Sequence, residues 1–323
     1  MMIQTPGNLR HSDADSIKHG FHHLGGLEDG EDPATGKNVR EYATFWVSMK
    51  GIASEQSLSV WTSWCNRLWE KAETAWIDRV GQDHFYRERV VVPSLITSIT
   101  SLKPPARTLI DIGCGDAYVT EKLFETPRLQ RSAIHDILLV DRSRSELAAA
   151  KKRKCLSGAR FHEADLLEGD SLGSVATMPS PKVILAIFVL QELPCLESLL
   201  HDLYQTMHAD DLCLAVFPAP SYATRLFRTG LMRRVSLAVP QKRDWSWAGE
   251  YPISVNSHII YLPYFHRTVK MLRQLLARAG FGIVDCRFLT VLDSPEATMV
   301  FRESVYGEGI VGVHSSVLME IRK

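Results

Sequence analysis

Thr108-Leu-Ile-Asp-Ile-Gly-Cys-Gly-Asp-Ala-Tyr118 is the stretch whose reading decides the fold. Its first five residues form a short apolar run of strand type, and Gly113 and Gly115 follow directly. Glycine lets the backbone turn sharply and lets a ligand approach without meeting a Cβ. Residues 117–125 suit a helix, so the segment reads as strand, glycine turn and helix, the opening unit of an α/β sheet. A plain tight turn uses the same glycines, so the meaning of the stretch depends on its surroundings.

The surroundings repeat the unit. Ile137–Val140 is a second apolar strand, followed by helix over 143–154, and Ala159–Phe161 is a third. Val183–Phe188 is a fourth strand, and Leu196, Leu199, Leu200, Leu203, Tyr204 and Met207 mark an amphipathic helix. Leu212–Phe217 is a fifth strand; a helix over 267–279 ends at Gly280, and strands follow near 281–290 and 315–321. Continuous apolar strands alternating with helices predict a mostly parallel sheet covered on both faces. Residues 218–265 break the rhythm and form an insertion, expected to be an α-helical, aromatic lid. Upstream, 1–38 reads as a flexible tail and 39–100 as a helical cap, with the main domain at 101–323. Trp61, Trp64, Leu68, Ala72 and Trp76 share one helical face. That face packs on the main domain, walls a ligand pocket, or forms a homodimer interface.

Bulk properties narrow the function classes. The 323 residues are 45% hydrophobic and 23% charged with a formal net charge of zero, so no overall field advertises a nucleic-acid or membrane partner. No run approaches 18 uninterrupted apolar residues, and the polar N-terminus lacks the apolar core of a signal peptide. The six cysteines show no C-x-x-C spacing, so no zinc site and no disulfide is expected, and the compartment reads as reducing and cytoplasmic. His22-His23 sits in the polar tail, where solvated histidines are the ordinary case and a metal role the alternative.

The glycine turn lies where open α/β sheets bind ligands, at the carboxyl end of a strand. A dinucleotide fingerprint needs a third glycine where this chain has Tyr118, and Asp116 would set a negative charge beside a pyrophosphate. A cationic sulfonium ligand without phosphates fits better. Asp141 ends the second strand, where its carboxylate can accept both ribose hydroxyls of an adenosine; capping of the next helix by Asp141 or Ser143 is the competing use. Asp165, in Glu163-Ala-Asp-Leu-Leu, can accept an adenine amino group or be a solvated loop acid.

Asp111-Ile-Gly-Cys-Gly-Asp116, Val140-Asp141-Arg-Ser143 and Glu163-Ala-Asp165, in that order, resemble the class I S-adenosylmethionine-dependent methyltransferase family. The resemblance spans 76–323 and takes in Phe85-Tyr-Arg87 and Val92-Pro93, as in small-molecule members, Tyr264-Phe-His-Arg267 and Ala279-Gly-Phe281. It implies a Rossmann-like sheet of seven strands with the last, antiparallel, strand inserted beside the sixth, and S-adenosylmethionine as cofactor. It implies Asp111, Gly113, Cys114 and Gly115 at the methionine end, Asp141 and Arg142 at the ribose, and Asp165 and Leu166 at the adenine. Ile187 to Gln191, including Phe188, would border cofactor and acceptor, and Tyr86 or Arg87 would close over the methionine carboxylate. The chain departs from the family at Ala117, where glycine is commoner and alanine fits a helical backbone. It also departs in the longer span from Gly115 to Asp141, which contains Pro127 and Arg128.

Methyl transfer needs alignment above all, which contributes about 7–11 kcal/mol, whereas a general base adds roughly 10²–10⁴-fold. The expected acceptor is a small molecule methylated on O or N. Trp245, Trp247, Tyr251 and Tyr264 are the candidate acceptor-pocket rings of the insertion; packing of its own core is the other use of its rings, which include Tyr222, Phe227, Tyr261 and Phe265. Arg225, Arg228, Arg233, Arg234, Lys242 and Arg243 either recognise an anionic acceptor group or lie solvated. His266 and His258 are the candidate bases, with Glu192 a further one. RNA or protein methylation, a non-methylating protein that holds the cofactor for structure or cyclisation, and an NAD-dependent enzyme are the competing readings.

Overall fold

The computed structural model describes residues 31–32, 37–38, 58–80, 86–130, 133–168, 171–228, 232–237, 244–255, 258–290 and 314–323. The chain divides into two units, 1–56 and 57–323. In the first, Glu31–Asp32 (β1) pairs antiparallel with Lys37–Asn38 (β2); the rest of the expected tail, His22-His23 included, lies outside the described residues.

The second unit opens with the helix Leu58–Val80 (α1). A π-helical turn over Arg87–Val91 leads into Val92–Thr100 (α2), which carries Pro93 in its first turn, where a missing N–H costs nothing. Then come Thr108–Ile112 (β3), Tyr118–Glu125 (α3), the short turn Pro127–Gln130 (α4) and Asp136–Asp141 (β4). Thus the long span after Gly115 accommodates an extra helical turn at Pro127. Arg144–Ala150 (α5), Arg160–Glu163 (β5), Gly173–Ala176 (α6) and Lys182–Ile187 (β6) continue the alternation. Glu197–Thr206 (α7) and Leu212–Pro218 (β7) complete the parallel part.

The sheet has seven strands. Its order is β11-β12-β7-β6-β3-β4-β5, where β11 is Gly282–Thr290 and β12 is His314–Arg322. β12 runs antiparallel to both neighbours and the other strands run one way, which is the reversed last strand that the resemblance implies. Successive side chains take opposite faces. Ile110, Ile112, Leu138, Val140, Ile184 and Ala186 pack on one side with α7, while Leu109, Val183, Leu185, Leu212, Leu214 and Val216 pack on the other with α2. The chain leaves β3 toward β4 on one flank and returns to β6 on the other. That switch opens a crevice at the carboxyl ends of these strands.

The insertion differs from the helical lid that its composition suggested. Its described elements are Pro220–Arg228 (α8) and a three-stranded antiparallel sheet, ordered β10-β9-β8, of Arg233–Leu237 (β8), Trp247–Val255 (β9) and His258–His266 (β10). The two long strands pair in register from His258↔Val255 to His266↔Trp247. Pro252 and Pro263 disguise them as loop. Both are tolerated because β10 is an edge and β8 reaches only Trp247 to Glu250 of β9, so neither proline interrupts a doubly paired strand. The last helix, Val269–Ala279 (α9), is capped by Thr268, whose side chain accepts from Met271 N, and ends at Gly280 with φ +100°. A Cβ there would also meet the Tyr204 ring at 2.8 Å.

Among the described residues, no helix is long and apolar enough to cross a membrane.

Candidate functional site

At the carboxyl ends of β3 to β6 lies a cavity of about 580 Å³. Its walls are the turn after β3, the ends of β4 and β5, the loop after β6, Arg87, and one flank of α1. Nine carboxylate side chains line it against three arginines, Arg87, Arg142 and Arg144.

The turn after β3 is built for close approach. Gly113 has φ +66° and Gly115 φ +54°, and a Cβ on Gly113 would stand 2.5 Å from Val189 Cγ2. Gly113 N and Cys114 N both donate to Val140 O, at 2.8 and 3.1 Å. Ala117 corrects one expectation: its backbone is left-handed, φ +58°, rather than helical. It takes the conformation that glycine would supply without strain.

Asp111 is 2% exposed. Its Oδ2 accepts from Thr120 Oγ1 at 2.6 Å, and its Oδ1 has no partner among the described residues. Burial pushes its pKa up to about 7; the Thr120 bond opposes this, and Asp141 and Asp116 add to it. Asp116 does not offer a bare charge to the turn, because Arg153 pairs with it and its Oδ1 accepts from Tyr118 N. Asp141 braces the loop: Oδ2 accepts from Gly115 N at 2.8 Å and Oδ1 from Ser143 N at 2.9 Å. Burial raises its pKa, against the pull of these backbone donors. The cap of α5 is Ser143, whose side chain accepts from Glu146 N, so Asp141 is not that helix's cap. Each Asp141 oxygen keeps a second lone pair.

Asp165 Oδ1 accepts from Leu167 N at 2.9 Å, and Arg142 stands 4.0 Å from Oδ2 while donating to Asn66 of α1. Leu166 and Arg87 line the cavity. Tyr86 does not line it; its ring packs against Phe188, centroids 6.4 Å apart. Phe188 lines the cavity with φ +56°, a strained conformation for an aromatic residue. Gln191 lies behind the wall, its amide donating to Phe188 O and to Glu192 Oε1.

The described rings of the insertion, and His266, fall elsewhere. Trp245, Trp247, Tyr251 and Tyr264 do not line the cavity. Trp245 is 1% exposed, donates from Nε1 to Pro194 O at 3.0 Å, and packs edge-on to Trp61 at 5.2 Å and beside Phe265 at 5.3 Å. Trp61 and Trp64 close the same cluster, so these two rings of the α1 face pack within the chain. His266 stacks on Trp247, centroids 4.7 Å apart, and burial drives its pKa down to about 4. It does not line the cavity either. His258 stands at the hairpin tip, paired with Val255, and its side chain lies outside the described ones, as do those of the insertion's six basic residues and Trp76.

Two groups of lining residues were not assigned to the cavity wall in the sequence, Glu192 being named only as a further candidate base. Cys65, Asn66, Trp69 and Glu70 come from the flank of α1 beside the tryptophan face. Their i, i+1, i+4, i+5 spacing marks a second helical stripe that the stronger apolar stripe masks. Glu192 is the other. Its carboxyl lines the cavity, and burial raises its pKa well above the usual carboxylate range.

No family model matches the chain, and no curated protein matches it in sequence. Solved structures do. The methyltransferase partner in a complex with the Haloferax volcanii Trm112 methyltransferase activator superposes with a TM-score of 0.51 at 11% identity, over 78% of this chain and 96% of that one. CcbJ methyltransferase from Streptomyces caelestis gives 0.47 at 14% over 75% and 97%. An S-adenosylmethionine-dependent methyltransferase from Mesorhizobium loti gives 0.44 at 16% over 68% and 91%. The fold is the Rossmann-like fold of class I methyltransferases.

Proposed function

We propose that this protein binds S-adenosylmethionine in the cavity at the ends of β3 to β6 and transfers its methyl group to an O or N atom of a small molecule. The observation that carries the reading is the buried Asp111 carboxyl beside a glycine turn, with one oxygen unpartnered among the described residues, in the wall of a cavity rich in carboxylates. Such a wall suits a cation and repels phosphates. The groups present fit the cofactor along its length. Asp111 Oδ1 would take the α-ammonium, Arg87 the α-carboxylate, Asp141 the ribose hydroxyls, and Asp165 the adenine amino group. When bound, the cofactor supplies an activated methyl and its leaving group.

The chain's own work is therefore positional. The glycine turn and Val189 would hold the methionine end, and Phe188 and the flank of α1, which line the same cavity, would wall it against water. Incubating the protein with methyl-labelled S-adenosylmethionine and a cell extract separates the acceptor classes. Label in the low-molecular-mass fraction is expected; label in RNA or protein alone contradicts the small-molecule acceptor.

A further inference from the structure

Glu192 takes no part in the cofactor assignment, and the loop that carries it is held both by α1 and by residues around the insertion. Gln191 Nε2 donates to its Oε1 at 3.2 Å, and the Cys65 thiol of α1 donates to its backbone oxygen at 3.6 Å. The loop that carries it is clamped from the insertion. Arg267 donates to Leu190 O at 3.1 Å and Leu193 O at 2.8 Å and pairs with Asp244 at 2.9 Å, while Asp244 accepts from Leu196 N and Trp245 donates to Pro194 O. The Arg267 and Asp244 side chains are 3% and 6% exposed, so the clamp is dry and rigid. Asn66, Trp69 and Glu70 of α1 line the same cavity, an indole and a second carboxyl on the helix whose Cys65 meets the Glu192 backbone.

We propose that the acceptor is a small amine, bound between Glu192 and Trp69, and that Glu192 takes the proton that frees the nitrogen lone pair. This rests on the S-adenosylmethionine reading of the same cavity. An ammonium beside Trp69 gains from the ring quadrupole, and the carboxylate-rich wall repels an anionic acceptor. Glu192 relays one proton from the arriving ammonium to solvent, and because burial penalises an ion pair the two groups settle as neutral carboxyl and neutral amine. That nitrogen forms the C–N bond as the methyl–sulfur bond breaks. The sulfur keeps the bonding pair as a neutral thioether, and the product departs as a methylammonium. Gln191 and Arg267 are positioning residues for Glu192.

The test uses full-length protein saturated with S-adenosylhomocysteine, titrated with benzylamine and with benzoate and followed by ligand-detected NMR and by proton release at pH 7. Benzylamine is expected to bind at least about tenfold more tightly than benzoate, with release of a proton. Glu192→Gln should erase both the preference and the proton release, and Glu192→Asp should restore part of each. Amines binding no better than carboxylates, or a preference that survives Glu192→Gln, overturns the assignment. Failure of the wild type to take up S-adenosylhomocysteine sinks the cofactor reading instead, so the two failures are distinct.

Discussion

Two regions of this molecule are rich in residues that sequence reading associates with ligands, and they have opposite fates. The strand-end cavity collects carboxyls, arginines and glycines around an open volume of about 580 Å³. The junction of α1 with β10 collects Trp61, Trp64, Trp245 and Phe265, and its rings face one another with centroids 5.2–5.8 Å apart. The difference is one of solvation. An aromatic ring reaches its lowest free energy surrounded by other rings, so a dense aromatic segment consumes itself as core. A buried carboxyl has no such self-sufficient state, and where it remains without partners something else is meant to meet it.

That contrast is sharpest under substitution. Trp245→Ala should destabilise the protein by about 3–5 kcal/mol, the cost of emptying a packed aromatic site, while S-adenosylmethionine affinity per folded molecule stays within a few-fold. Denaturant melts beside calorimetry would show it, and a lost ligand with intact stability would reverse the roles of the two regions. In the cavity, Gly113→Ala meets both a positive φ and Val189, and should cost about 1–3 kcal/mol of backbone strain and loosen the cofactor.

Asp111 should make the cavity pH-sensitive. Its pKa in the fold is about 7 against 3.8 for the free group, so the fold holds its proton more tightly. Its contribution to stability is complete below about pH 4 and lost as the pH rises to 7. Asp111→Asn should flatten that slope in a pH series of melts, and cofactor affinity in the wild type should rise over the same window. The smallest effect belongs to the aromatic region. His266 is held down to about 4 from 6.5, so its contribution is present above pH 6.5 and lost as the pH falls toward 4. His266→Phe should remove that acid sensitivity and leave methyl transfer intact; an abolished reaction would return His266 to the list of bases.

The sheet was legible because its signals are local. Apolar strands such as Val183–Ile187 state their burial in composition, and the glycine turn after Ile112 states its geometry. Asp111, Asp141 and Asp165 were legible for the same reason, each standing at or just past a strand end. The insertion was not: its composition suggested a helical lid, and Pro252 and Pro263 interrupt the strand signal of β9 and β10, where each stands in a stretch paired on one side only. Nor was the wall from α1, since Asn66 and Glu70 read as a solvated flank until a cavity lies against them. Glu192 was legible as a further candidate base after β6; that Gln191, Cys65 and Arg267 converge on its loop depends on segments more than 70 residues away in two of the three cases.

The most direct measurement is a calorimetric titration of the full chain with S-adenosylmethionine, S-adenosylhomocysteine and NAD, on wild type and Asp141→Ala. Both sulfur ligands should bind the wild type and NAD should not. The variant should lose at least about 1.5–3 kcal/mol, roughly ten- to a hundredfold in affinity. Folded wild-type protein that takes up neither sulfur ligand, or that binds NAD at the same site, would contradict the account.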